Sequence, residues 1–299
     1  MTTLFVHNPL ARHGGDDHEP VIGKLRTLGP VKVVSTAQDC CHEEIRNAAG
    51  QYERIVVAGG DGTVNFLLPD LLAASLPVGL IPLGTANDLA HSLDLPSASE
   101  EAAEVVLQNH TRRVDVGIAN DAMFVNAAGI GLGPKLNRQL DREEKRLLGV
   151  FAYLKGILKV TRAPPVCRGS LALDGTTIRT KFSQLTVASG VYYGGGNRVL
   201  RDAELDDGQL SIVLIKPQAR WQMFLNSFLL RFGLAGRFEH EQLQSYRASR
   251  LRVSTRRQLD VSADGELVTQ TPVDFRIRPR ALLCFAPRTT TTGSDNEHY

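Results

Sequence analysis

The chain is poor in the residues that mark several protein classes. It has four cysteines and one tryptophan in 299 residues, and aromatic residues make up 6% of it. The cysteines are too few and too scattered for a disulfide framework, and no pair of them has the spacing of a zinc site. A reducing cytoplasm is therefore the expected compartment. The four are Cys40, Cys41, Cys167 and Cys284.

Two further absences concern membranes. No run of the sequence approaches the roughly 20 apolar residues that a membrane-spanning helix needs. The first residues, MTTLFVHNPLARHGG, have neither a basic leader nor a long apolar core, so they do not look like a secretory signal. We expect a cytoplasmic protein without a transmembrane segment, and peripheral association with the inner face of the membrane stays open.

What is present is an ordinary globular mixture, with 42% hydrophobic and 22% charged residues. At roughly 150 residues per domain, the length favours two domains. The net charge of +2 hides an asymmetry. Residues 1–115 hold 8 basic and 15 acidic side chains, a net of −7, whereas residues 116–299 hold 26 and 17, a net of +9. This asymmetry predicts different partners for the two parts.

The pattern of apolar residues changes near residue 114. Before it, short apolar runs alternate with helical patterns, which is typical of a mainly parallel, doubly wound sheet. After it, strand-like segments follow one another, with a hairpin turn predicted at Asp174-Gly175. We expect an α/β domain over 1–115, a mainly antiparallel β-sandwich over 116–288 and a disordered polar tail over 289–299. The active site would lie in the cleft between the domains.

The first chemistry-bearing segment follows the apolar run RIVVA and reads GGDGT. Gly59, Gly60 and Gly62 let a backbone approach a phosphate closely, and a helix expected to start after Thr63 adds the positive end of its dipole. Asp61 beside a phosphate needs a cation or a proton, so it is a candidate Mg²⁺ ligand or base. The alternative is a tight turn with a capping aspartate. The segment is neither a Walker A loop nor a GxGxxG fingerprint.

A second strand, VGLIP, also ends in a small polar turn before a helix. Gly84 and Thr85 add N–H and hydroxyl donors, and Asp88 would project from the first helical turn. A turn with a capping residue explains this segment equally well by itself. Because ligands bind at the carboxyl ends of parallel strands, the two loops together favour a functional site.

These segments carry a resemblance. GGDGTVN at 59–65 and PLGTANDLA at 82–90 resemble the diacylglycerol kinase catalytic-domain family in its bacterial lipid kinase branch. Sphingosine kinases are relatives, and the more distant NAD kinases share GGDGT. The resemblance extends over nearly the whole chain, through Asn8-Pro9, DVGIANDAMFVNAAGIGLG at 115–133, LDDGQLSIVLI at 205–215 and ADGELV at 263–268.

The resemblance implies an ATP- and Mg²⁺-dependent kinase that phosphorylates a lipid hydroxyl, with a diacylglycerol-like lipid as the first choice. Glu266 would take the hydroxyl proton, unless Asp61 is the base itself rather than the holder of the catalytic Mg²⁺. Asp264 and Asp88 are secondary candidates for positioning metal or water. The implied nucleotide-contacting residues are Asn8, Thr36, Gly59, Gly60, Asp61, Gly62, Thr63, Val64, Asn65, Gly84, Thr85 and Asp88.

The resemblance also implies a second, mainly structural Mg²⁺ beside the Asp-Asp-Gly turn. The matching positions are Glu204, Asp207 and Gln209, in part through backbone carbonyls. The alternative is a plain β-turn that holds no ion.

Two segments bear on the lipid. The helical pattern over 220–238 has one apolar face with Trp221 and three phenylalanines, which is typical of packed core and also suits an interfacial helix. Residues 135–168 carry 9 basic and 3 acidic side chains, which are solvated or attract anionic headgroups. The expected partner is a lipid presented at a membrane surface, with no nucleic acid and with a homodimer possible.

Two alternative functions remain at this point. One is a related kinase that phosphorylates NAD, which the GTAND segment and the basic second part disfavour. The other is a non-catalytic regulator that binds nucleotide or lipid on the same fold, which the retained acidic residues Asp61, Asp264 and Glu266 disfavour.

Overall fold

The computed structural model describes residues 2–15, 17–38, 40–132, 134, 166–193, 196–200, 202–217 and 243–288. The helix predicted over 220–238 and the tail over 289–299 lie outside the described residues. So does the basic stretch 135–168, apart from its last three residues.

In the first part of the chain, strands and helices alternate as the sequence predicts. The strand order is β2-β1-β3-β4, and all neighbouring pairs are parallel. All six residues of β3 are buried, as expected of a parallel strand covered on both faces. The elements are β1 (Thr3–His7), α1 (Glu19–Arg26), β2 (Val31–Ser35), α2 (Cys41–Arg46), β3 (Arg54–Gly59), α3 (Asp61–Ala74), β4 (Val78–Pro82), α4 (Asp88–Ser92) and α5 (Ser99–Leu107).

Two apolar layers cover this parallel sheet, one on each face. Phe5 and Val56 contact side chains of α1 and α5, such as Leu25. On the other face, Val57 packs with residues of α2 and α3, among them Leu67. The predicted doubly wound arrangement is confirmed.

The described residues of the second part lie mainly in strands. A six-stranded antiparallel sheet has the order β14-β13-β10-β7-β16-β17, and β9, β8, β15 and β18 form antiparallel neighbours in a second sheet. The inner faces of the two sheets share one apolar core, so the predicted antiparallel sandwich is confirmed. The strands are β5 (Thr111–Ala119), β6 (Ala122–Phe124), β7 (Ala127–Gly131), β8 (Cys167–Leu173), β9 (Thr176–Phe182), β10 (Gln184–Ala188), β11 (Tyr192–Tyr193), β12 (Asn197–Arg198), β13 (Leu210–Ile215), β14 (Leu243–Ala248), β15 (Arg250–Thr255), β16 (Asp260–Ala263), β17 (Glu266–Gln270) and β18 (Val273–Phe285).

The long strand β18 joins the two parts. Its first residues pair with β15, most of its length pairs with β5, and Cys284 pairs in parallel with Val78 of β4. One ten-stranded sheet therefore runs through both parts of the chain.

Two local features can be compared with the sequence. The predicted Asp174-Gly175 turn joins β8 to β9, and both residues have positive φ (41° and 96°), as a type I′ turn requires. The helix expected after Thr63 begins earlier, at Asp61. Gly60 is extended there (φ −102°, ψ −174°), and its carbonyl accepts the N–H groups of Thr63 and Val64. No side chain caps the start of α3, so the sequence pattern does not reveal where this helix begins.

Candidate active site

The two glycine-rich loops lie directly against each other at the carboxyl ends of β3 and β4. Leu83 donates its main-chain N–H to the Gly59 carbonyl at 2.9 Å. A Cβ atom on Gly60 would lie 2.8 Å from the Gly84 Cα atom, and one on Gly84 would lie 2.7 Å from the Gly60 Cα atom. Only glycine allows this approach, so the two segments that the sequence singled out form one structure.

Asn87 fixes the second loop. It adopts the left-handed conformation (φ 51°), which asparagine tolerates better than most residues. Its side chain accepts the Gly84 N–H at 2.9 Å and donates to the Gly84 carbonyl at 3.1 Å. Thr85 is exposed in the loop thus closed, and α4 begins at Asp88.

The start of α3 offers main-chain donors beside these loops. The first N–H groups of a helix have no acceptor within it, so those of Asp61 and Gly62 are suited to an anion. A Cβ atom on Gly62 would meet nothing within 4 Å. The Val64 side chain, by contrast, is buried in the core, so only its main chain is available to a nucleotide. Asn65 is half-buried in the next position.

The end of β1 adds polar groups to the same region. Asn8 donates from Nδ2 to the Thr63 hydroxyl at 2.8 Å, and its main-chain N–H reaches the Ala58 carbonyl at 3.0 Å. Thr36 follows β2 and donates its N–H to the His7 carbonyl at 2.9 Å. The structure thus brings Asn8 and Thr63 into contact and places Thr36 on the neighbouring strand end.

Asp61 connects three elements. Its carboxylate accepts the main-chain N–H groups of Asp88 (3.0 Å) and Leu89 (3.1 Å), which begin α4. It also accepts Nδ2 of Asn126, from the second part of the chain, at 3.0 Å. Two oxygens therefore meet three donors, and the negative charge is held at the junction of both parts.

Asp264 lies in the hairpin turn between β16 and β17. Its carboxylate accepts the N–H groups of Val125 (2.9 Å), Asn126 (3.1 Å) and Ala127 (3.0 Å). Burial raises the pKa of the Asp264 carboxyl to about 7; the three donors work against this, and the charge of Asp61 adds to it. The role of Asp264 in this structure is to fix the segment that carries Asn126.

Glu266 begins β17 directly after the turn, opposite Ala263, and it is exposed. It stands two residues from Asp264, which is tied to the segment that contacts Asp61. The predicted base is therefore an exposed residue on the same hairpin as the central cluster.

Asp88 is buried, and its carboxylate is engaged. It accepts the Gly196 N–H at 2.7 Å, which ties α4 to the glycine-rich segment that follows β11. Ser92 of the same helix donates to the Asp88 carbonyl at 2.8 Å. Gly194 and Gly195 of that segment lie outside the described residues.

The Asp-Asp-Gly turn has its own charge balance. Asp207 forms an ion pair with Arg247, and it accepts the Gln209 N–H at 2.8 Å. Glu204 is exposed nearby. The described residues contain no group of three or more histidine, cysteine, aspartate or glutamate side chains arranged to hold a metal. Arg247 thus supplies positive charge where the sequence predicts an ion, and the ion stays a prediction.

Sequence reasoning missed Asp115. It is fully buried in β5, and it accepts the N–H groups of Gly208 and Arg280, each at 2.7 Å. Burial raises the pKa of the Asp115 carboxyl, and the charges of Asp207 and Asp206 raise it further. An aspartate inside the apolar run VDVGIA was the signal available.

Sequence reasoning also missed Asn126. Its side chain is only 4% exposed, and Oδ1 is buried without a partner among the described atoms. Because the Asp61 carboxylate only accepts, Nδ2 must face it and Oδ1 must point away. A buried acceptor without a donor is costly in an ordinary core. Such an atom at this position is suited to a ligand.

Comparison with known proteins agrees with this geometry. Residues 2–119 match the family described as the diacylglycerol kinase catalytic domain. Residues 111–286 match the YegS C-terminal NAD kinase beta sandwich-like domain. The chain belongs to the bacterial lipid kinase family with a diacylglycerol kinase catalytic domain.

Members of this family are similar over most of the chain. A Staphylococcus carnosus protein named "Putative lipid kinase" is 30% identical over 240 residues, which cover 79% of this chain and 78% of that protein. A second protein of that organism, named diacylglycerol kinase, is 26% identical over 84% of this chain and 82% of its own length. A solved structure from Bacillus anthracis shares the fold with a TM-score of 0.81 and 25% identity, covering 96% of this chain and 95% of that one.

Membership agrees with the kinase interpretation drawn from the motifs. Within the described residues, no helix is both long enough and apolar enough to pass through a bilayer.

Proposed function

We propose that this protein is an ATP- and Mg²⁺-dependent kinase that transfers the γ-phosphoryl group of ATP to the hydroxyl of a diacylglycerol-like lipid. One observation carries the proposal: Asp61, at the start of the α3 anion-binding terminus, contacts Asn126 of the other part of the chain. Main-chain donors for phosphates and acidic groups for the acceptor therefore meet at one place. The lipid would be presented at the inner face of the membrane to a cytoplasmic protein, alone or as a homodimer.

The nucleotide would lie across the paired loops. The N–H groups at the start of α3 are suited to the phosphates because they have no acceptor within the helix, and the space beside Gly62 is open. Gly59, by contrast, is packed against the Thr63 side chain. Gly84 and the Thr85 hydroxyl would complete this side, and Asn8 and Thr36 would line the remainder of the nucleotide. Phosphoryl transfer requires mainly such positioning and charge neutralisation.

The residues at the junction fit Mg²⁺. Carboxylate oxygens are among the ligands it prefers, and Asp61 supplies them at the junction, where Nδ2 of Asn126 holds its carboxylate in place. When bound, the ion neutralises charge on the transferring phosphates. Asp264 holds the Asn126 segment in place, and Asp88 holds α4 against Asp61. A second ion at Glu204, Asp207 and Gln209 remains part of the proposal.

In the transfer itself, the lipid hydroxyl oxygen forms a bond to the γ-phosphorus while the bond to the leaving ADP breaks. The hydroxyl proton goes to a carboxylate. Glu266 is our first candidate because it is an exposed residue on the hairpin that carries Asp264. Asp61 is the alternative base.

The test is to incubate the protein with radiolabelled ATP, Mg²⁺ and total lipid extract, and to identify the labelled product. A labelled phosphatidic acid-type lipid supports the proposal. Label transferred to NAD instead, in a parallel reaction, would establish the related NAD kinase activity. Binding of ATP with no transfer to any lipid of the panel would favour a regulator and overturn the proposal.

A further inference from the structure

The outward surface of β9, β8, β15 and β18 concentrates positive charge. Along these strands, residues such as Leu171, Leu251 and Phe275 face the core, and the residues between them face outward. Many of the outward residues are basic and exposed. They are Arg168, Arg179, Lys181, Arg250, Arg252, Arg256 and Arg276, which together we call the basic face.

Like charges stand directly opposite one another on this face. Arg168 is the cross-strand partner of Lys181. On its other side, Arg256 donates its main-chain N–H to the Arg168 carbonyl at 3.1 Å, so three basic residues follow one another across three strands. Arg250 is likewise opposite Arg276. Like charges directly opposite each other destabilise a sheet, and a bound anion would relieve that repulsion.

Few carboxylates balance these charges. Asp274 pairs with Arg252 at 3.1 Å. Asp174, at the edge, is held by the main-chain N–H groups of Ser249 (3.0 Å) and Arg250 (2.9 Å). Within the part of the chain that the structure describes, the other members of the basic face form no ion pair. Their charge is available to a partner.

A groove of about 970 Å³ lies at one end of the basic face. Among the described residues that line it, the charged ones are Arg168, Arg179, Lys181, Lys216 and Arg256, and none is acidic. Ser170 and Ser254 add hydroxyl groups. None of these described lining residues is aromatic, so they offer no stacking surface of the kind that single-stranded nucleic acids use. This lining suits phosphate groups rather than bases.

Exposed apolar side chains flank the same end. Val166, two residues before Arg168, is 55% exposed. Leu243 is 46% exposed and pairs with Ile215, the neighbour of Lys216. Basic residues with apolar side chains beside them are typical of surfaces that rest on a bilayer.

We propose that the basic face docks the protein on a membrane surface containing anionic phospholipids, with headgroup phosphates in the groove. The proposal rests on the proposed lipid kinase function, which requires the enzyme to reach a lipid. The basic face lies beside the end of β18 that begins at Val273, whereas the other end of β18 pairs with β4. Docking there leaves the nucleotide side of the molecule away from the membrane.

Vesicle flotation tests this directly. Wild-type protein should bind vesicles of phosphatidylcholine with phosphatidylglycerol, and should not bind vesicles of phosphatidylcholine alone. The triple variant Arg168→Gln, Lys181→Gln, Arg256→Gln should bind the anionic vesicles about a hundredfold more weakly, at about fivefold per charge. Added salt should weaken wild-type binding because the charges are exposed. A second variant, Arg179→Gln with Arg276→Gln, should show a smaller loss.

The matched control removes three positive charges from the first part of the chain, as Lys24→Gln, Arg26→Gln and Lys32→Gln, each of which forms an ion pair with a glutamate. It has the same net charge as the triple variant and should bind vesicles like wild type. Equal binding by the triple variant, equal binding to neutral vesicles, or a preference for duplex DNA over vesicles would each overturn the proposal.

Failure of docking and failure of the kinase function give different results. In micelles of neutral detergent, the triple variant should phosphorylate diacylglycerol at the wild-type rate, because its substitutions change no residue of the candidate active site. Flotation without any phosphorylation would leave docking standing and the kinase function refuted. Phosphorylation without flotation would refute docking and leave the kinase function standing.

Discussion

Asn126 donates its side-chain amide to the Asp61 carboxylate at 3.0 Å, across 65 positions of the sequence. The same Asn126 donates its main-chain N–H to Asp264. One residue therefore ties the aspartate of the glycine loop to the hairpin that carries Glu266. This connection makes the two parts of the chain a single site.

Asp61→Asn should reduce phosphoryl transfer by about a thousandfold or more, because it removes the charge at the junction while keeping the shape. It should also cost about 1 kcal/mol of stability, since the carboxylate caps the start of α4. Initial rates and thermal unfolding measure the two effects. Asp121→Asn, at an exposed turn, is the control and should change neither. An active Asp61→Asn enzyme would contradict the assigned role.

Asn126→Ala should lower kcat about 10- to 100-fold with little change in the KM for ATP, because Asp61 loses its partner from the second part of the chain. The variant should also lose about 1–2 kcal/mol of stability. Asn126→Asp should be worse than Asn126→Ala, because it places a third carboxylate beside Asp61 and Asp264. Steady-state kinetics over a range of Mg²⁺ concentrations distinguishes the two variants. Equal loss in both would show that only shape matters at this position.

Asp115 and Asn126 show which parts of the structure can be predicted from the sequence and which cannot. The glycine loops, the sandwich and the Asp174-Gly175 turn follow from local patterns of apolar and turn residues, and the structure confirms them. The partners of Asp115 and Asn126 do not follow, because each contact joins positions far apart in the chain. Local patterns in a single sequence do not reveal the strand register that brings these distant residues into contact.

The start of α3 and the Asp-Asp-Gly turn illustrate the same limit at short range. The helix begins at Asp61 with glycine at its N-cap, and no side chain caps its first turn, so the sequence carries no capping signal there. At the turn, Arg247 pairs with Asp207 from 40 residues away. Local reasoning could identify the acidic residues there and could not identify their partner.

Asp264 should make stability depend on pH. Its folded-state pKa of about 7 exceeds the unfolded value near 3.9, so the folded state binds the proton more tightly. This contribution is complete below about pH 4 and is lost as pH rises through about 7. Relative to Asp264→Asn, which does not titrate, wild type should lose about 2–3 kcal/mol between about pH 5 and pH 8. Denaturant unfolding of both proteins at several pH values measures it, and a constant difference would contradict it.

Glu266→Gln should lower kcat about 100- to 10,000-fold, the usual contribution of a general base. Thermal unfolding should stay unchanged because Glu266 is exposed. The pH dependence of the remaining activity should lose its acidic limb. Glu101→Gln, at another exposed glutamate, is the matched control for the kinetics and should keep the wild-type rate. If Glu266→Gln retains the wild-type rate and profile, the base is Asp61 instead.

Two neighbouring glycines should respond oppositely to the same change. Gly60→Ala places a Cβ atom 2.8 Å from the Gly84 backbone, so the loops must separate, at a cost of about 1–3 kcal/mol. ATP affinity should fall with it. Gly62→Ala meets nothing within 4 Å and improves helix propensity in α3, so its stability should be equal to wild type or higher. If phosphates approach the start of α3 as proposed, Gly62→Ala should nevertheless bind ATP more weakly. Thermal unfolding with and without ATP measures both effects. If ATP raises the unfolding temperature of Gly62→Ala as much as that of wild type, the phosphates do not bind at the start of α3.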